Sequence, residues 1–94
     1  LPNNKEIKLR EEIQASVEAQ RILASAEFSD IMKKLEGLYL DTALALPVED
    51  DLGRFRYLEG IKVIKMVSRH LGKIAESGKL SKADLKRLED GQLN

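Results

Sequence analysis

No cysteine occurs anywhere in this chain, which excludes a disulfide framework, a thiolate metal site and a cysteine nucleophile. There is no tryptophan either, and Phe28, Tyr39, Phe55 and Tyr57 are all the aromatic residues. Any core must therefore be aliphatic. Net charge is also missing: sixteen basic and sixteen acidic side chains cancel, so no overall field concentrates nucleic acid or anionic lipid, and contact with either would have to be local. No apolar run approaches the ~20 residues of a membrane span. Only two prolines and six glycines punctuate the 94 residues, leaving long stretches free of helix breakers. Absent cysteine fits a reducing, cytoplasmic setting, and absent hydrophobic spans argue against a membrane partner.

What remains is 43% hydrophobic and 34% charged, the balance of a helix-rich globular chain. Ninety-four residues make one domain, which buries about 60–65% of its unfolded surface and is marginal without help. Residues 1–4 read as a loose lead-in and 91–94 as a frayed end. From Lys5 to Ala24 the sequence favours helix throughout, but its apolar line is thin: Leu9, Ile13, Val17 and Ala24, interrupted by Ser16 and Gln20. Ser25 or Ser29 can cap a second helix. Phe28, Ile31, Met32, Leu35, Leu38, Tyr39, Thr42 and Leu46 then follow at steps of three and four, and Pro47 stops the run.

The Asp50–Asp51 pair suits the cap of a third helix, expected to end near Glu76 because Ser77-Gly78 offers a left-handed stop. Ser81 to Asp84 resembles a capping box for a short final helix carrying Leu85 and Leu88. The expected fold is all-α: an antiparallel hairpin of residues 26–46 and 52–76, with a long N-terminal helix, a short C-terminal helix, and completion by oligomerisation. In this arrangement Leu35 and Leu38 meet Ile61, Ile64 and Leu71 in the core, and Leu9 lies on a less important seam.

The third helix carries the most information. Lys62, Lys65, Arg69 and Lys73 line one narrow face, and Leu58, Ile61, Val63, Ile64, Met66, Val67, Leu71 and Ile74 fill much of the rest. That apolar arc of roughly 220° exceeds the ~100° of a one-sided helix, so cover from at least two sides is expected. Val63, Met66, Val67, His70 and Ile74 are the expected contacts with another copy or another protein. The basic stripe suits an anionic partner, nucleic acid being the alternative to an ion-paired, solvated face.

Catalytic and cofactor motifs are not found. His70 has only Ser68 and Arg69 as polar neighbours in sequence, and a lone histidine without cysteine makes a poor metal site. Glu49, Asp50 and Asp51 are consecutive, whereas a calcium loop alternates its ligands and ends on a glutamate. The glycines are scattered and no GK[ST] occurs. The expectation is a non-enzymatic protein with no cofactor, no metal and no small-molecule substrate.

Arg21-Ile22-Leu23-Ala24-Ser25 leading into Phe28, the breaker at Pro47, Asp51 and Arg54 opening a long helix, and Gly78-Lys79 before a leucine-containing tail form an ordered set of landmarks over residues 20–90. In this order the chain resembles small helical phage proteins encoded among virion-assembly genes. The resemblance implies a role in or beside particle assembly, in the cytoplasm of a bacterial host or on the virion. It carries no catalytic or binding residue with it.

Overall fold

Asn3 opens the first helix by accepting the Glu6 amide hydrogen on its side-chain oxygen at 2.7 Å, which satisfies one of the four amides that a helix start leaves unpaired. The computed structural model describes residues 3–91, so expectations for residues 1–2 and 92–94 lie outside the described part. Three helices occur there and no strand: α1 (Asn4–Ala24), α2 (Ala26–Ala45) and α3 (Asp51–Glu89). The fold is all-α.

One residue separates α1 from α2. Ser25 is extended, with φ −73° and ψ 124°. Its hydroxyl accepts from the Phe28 amide at 3.2 Å and donates to the Glu27 carboxylate at 3.1 Å. Hydrogen bonding from Glu27's own amide, and then from Ser25, holds the Glu27 carboxyl below its usual range. A lowered folded-state value adds stability that is present above the unfolded pKa and is lost as pH falls through the folded one.

The second connection spans residues 46–50. Pro47 cannot continue α2, and its carbonyl accepts the Asp50 amide at 2.9 Å to close the turn. Asp50 then caps α3, its Oδ1 accepting from Gly53 N–H at 2.9 Å. Arg54 reaches back from the first turn of α3. Its Nη2 donates to the Val48 carbonyl at 2.8 Å and pairs with Asp51 at 3.0 Å. The acidic triplet is thus engaged in turn and cap contacts through two of its three members.

α3 runs unbroken for 39 residues. The expected stop at Ser77-Gly78 and the separate short helix after it are not found. Gly78 is helical and buried, and the positive-φ glycine among the described residues is Gly91, with φ 74° just past the helix end. Glycine stands at 78 because nothing larger fits there: a Cβ on Gly78 would overlap Cβ and Oγ of Ser16.

The chain divides into two compact units, each of which takes part of α3: residues 1–23 with 70–94, and residues 24–69. In the first, α1 and the C-terminal part of α3 run antiparallel. Ser16 Oγ donates to the Ala75 carbonyl at 2.9 Å, Ser81 Oγ donates to Glu12 at 2.5 Å, and Arg10 pairs with Glu89 at 3.0 Å. Rising numbers on one helix meet falling numbers on the other. Leu9, Glu12, Ser16 and Ala19 repeat at 3-4-3 on α1, and Leu71, Ile74, Gly78, Ser81, Leu85 and Leu88 at 3-4-3-4-3 on α3, the spacing of a coiled-coil seam. All ten are buried or half-buried. The middle of this seam is small and polar, which lets the two backbones approach closely.

In the second unit α2 faces the N-terminal part of α3. The Tyr39 and Tyr57 rings meet edge to face, with centroids 5.7 Å apart, the arrangement favoured by the ring quadrupoles. Gly60 makes room for Tyr39, since a Cβ there would lie 2.5 Å from the ring. Met32, Glu36, Tyr39 and Ala43, continued by the cap residue Leu46, form the less exposed line of α2, and Ala43 on α2 and Ile64 on α3 are the buried apolar residues of this unit. Leu35 and Leu38 are not core residues here. They are 36% and 58% exposed, because the line that includes Tyr39, not theirs, turns toward α3.

Candidate interaction surfaces

Four apolar residues are buried among those described, Leu9, Ala19, Ala43 and Ile64, and two of them are alanine. Sixteen large apolar side chains are exposed. Single exposed hydrophobics are normal on a soluble surface, but a contiguous set calls for an explanation.

Of the five side chains expected to meet a partner, Val63, Met66 and Val67 lie in the second unit and are all exposed, Val63 at 61%. His70 and Ile74 lie in the first unit, where they line an open groove with Glu12, Ala15, Lys73 and Ser77. Ile74 is half-buried on the α1 seam and His70 is exposed. The five therefore belong to two different units.

Lys62, Lys65 and Arg69 are exposed on α3 in the second unit, and Lys73 in the first. Lys62 pairs with Glu59 at 3.1 Å. Lys65, Arg69 and Lys73 make no ion pair among the described residues. Three of the four α1 carboxylates are engaged elsewhere, Glu6 with Arg10, Glu18 with Arg21, and Glu12 with Ser81, and Glu11 makes no ion pair among the described residues. Arg10, held between Glu6 and Glu89, has its guanidinium pKa pushed further up, chiefly by the Glu6 hydrogen bond.

Sequence reasoning missed the outer stripe of α2. Ile31, Leu35 and Leu38 carry the steps of a core line, and so does the neighbouring set with Met32, Tyr39 and Ala43. The apolar arc of α2 is thus wide enough for two neighbours. That width was the available signal.

Among the described residues no three His, Cys, Asp or Glu side chains gather as a metal site would require, and no helix is long and apolar enough to cross a membrane. No family model, no curated protein and no solved structure matches this chain.

Proposed function

We propose that this chain is a non-enzymatic interaction or assembly protein that works as a homo-oligomer, in line with its resemblance to small helical proteins encoded among phage virion-assembly genes. One observation carries this reading: large apolar side chains are exposed at sixteen described positions while only four apolar residues are buried. Fully burying one such side chain contributes ~1.5–3 kcal/mol. Covering even four of the exposed ones would rival a typical domain stability of ~5–15 kcal/mol. Light scattering after size exclusion at micromolar concentration tests it. The expected result is a mass at least twice 10.6 kDa, and a single-chain mass would refute self-association.

A second reading, nucleic-acid binding, draws on Lys65, Arg69 and Lys73 being exposed without ion pairs among the described residues. It predicts binding to duplex DNA at low salt that weakens steeply as salt rises. Replacing Lys65 and Arg69 by alanine should then reduce both the affinity and the salt slope. A titration at low ionic strength that gives no binding to DNA or RNA dismisses it.

A further inference from the structure

Within the second unit one group of exposed apolar residues shares a side of the helix pair, whereas Leu40, Leu44 and Leu58 are exposed on the other side. At 100° per residue, Ile31, Leu35 and Leu38 lie about 90° from the face that α2 turns to α3. Val63 and Val67 lie on α3 about 70–110° from the face it turns to α2. For antiparallel right-handed helices these two rotations point to the same side of the pair. Leu52 also falls on this side and Met66 at its outer edge. Thr42, between Leu38 and Leu46, donates its hydroxyl to the Leu38 carbonyl at 2.7 Å, so it presents its methyl group without an unsatisfied donor. Arg56 is the one charged residue centred on this side. Lys33, Lys65 and Arg69 turn to the opposite side.

We propose that a second copy of this chain docks on this face in an isologous dimer, each copy contributing the α2 and α3 segments of residues 24–69 to a four-helix layer. The proposal rests on the homo-oligomer reading above and assigns its surface. The area argues for it: the seven side chains Ile31, Leu35, Leu38, Leu52, Val63, Met66 and Val67 range from 36% to 61% exposed. At roughly 90–100 Å² each they leave about 650 Å² uncovered, more than the ~300–600 Å² patch of an ordinary monomer. That is close to the ~800 Å² per partner of a standard interface. A charge-poor apolar centre is also self-complementary, as an isologous contact requires. A two-helix layer has only one side of each helix covered, and an identical layer supplies the missing side with the same chemistry. Lys33, Lys65 and Arg69 are left outward in both copies, while Arg56 lies within the contact.

Size exclusion with light scattering on the full chain, wild type against Leu38→Glu and Val63→Glu, is the first test. Wild type should run at twice the single-chain mass, and each variant at the single-chain mass with unchanged far-ultraviolet helicity. Variants that stay dimeric would overturn this surface and leave self-association standing. A monomeric wild type would overturn both and hand the face to a different protein. Cysteine pairing covers the case of a variant that fails to fold, because the chain has no cysteine of its own. Val63→Cys and Leu38→Cys, alone and mixed, should form disulfide-linked dimers under mild oxidation at least tenfold faster than Lys33→Cys. Equal rates would overturn the proposal.

Discussion

Gly78→Ala should destabilise this protein, and Gly37→Ala and Gly72→Ala should stabilise it. All three glycines are helical, and in an exposed helix alanine is favoured over glycine by about 1 kcal/mol. A Cβ at position 37 or 72 meets nothing within 4 Å, so at those positions the intrinsic gain of about 0.5–1 kcal/mol should appear in full. At 78 the added carbon would overlap the Ser16 side chain, with the Ser16 Cα only 3.5 Å away. The helices have to separate, which strains the Ser16–Ala75 and Ser81–Glu12 hydrogen bonds on either side of the contact. Overpacking of this kind costs about 1–3 kcal/mol. Urea melts of the three variants check it. The result that would sink the close-approach account is a Gly78→Ala midpoint shifted upward like the other two.

The same position shows why part of the fold was hidden in the sequence. Helix-forming composition, the Pro47 break and the capping residues Ser25 and Asp50 all act locally, so the all-helical class could be read from them. Gly78 could not. After an apolar helical run, Ser-Gly is the ordinary signature of a helix end, and only contact with Ser16, 62 positions earlier, turns it into a helix interior. Ser16 and Ser81 were hidden for the same reason. As isolated letters Ser16 interrupts an apolar line and Ser81 resembles a helix cap, yet together they let α1 and α3 come close while each hydroxyl keeps a partner. The candidate surface was half legible. Val63, Met66 and Val67 stood out because the arc on α3 was too wide for one neighbour. Ile31, Leu35 and Leu38 did not, because a two-sided arc on α2 does not say which side packs within the chain.

Burial reverses the order of sensitivity that helical periodicity suggests. Leu9→Ala should cost about 2–4 kcal/mol and Ile64→Ala about as much, whereas Leu35→Ala should cost about 1 kcal/mol in a dilute, monomeric sample. Leu9 and Ile64 are each 7% exposed and Leu35 is 36% exposed. The loss on truncation follows the area returned to water plus the cavity left behind, and a side chain already one-third in solvent has less of both to lose. The two large effects should also differ in place. Leu9 belongs to the unit of α1 with the C-terminal part of α3, and Ile64 to the unit of α2 with the N-terminal part. Local opening follows such units, so Leu9→Ala should first lose hydrogen-exchange protection in α1, and Ile64→Ala in α2. Leu35→Ala adds a further discriminating measurement. If its face is covered by a second copy, its cost should grow with protein concentration, since association stabilises by mass action. Melts repeated from sub-micromolar to hundreds of micromolar protein would show this. A Leu35→Ala deficit that is large at every concentration would place Leu35 in the core of the single chain instead.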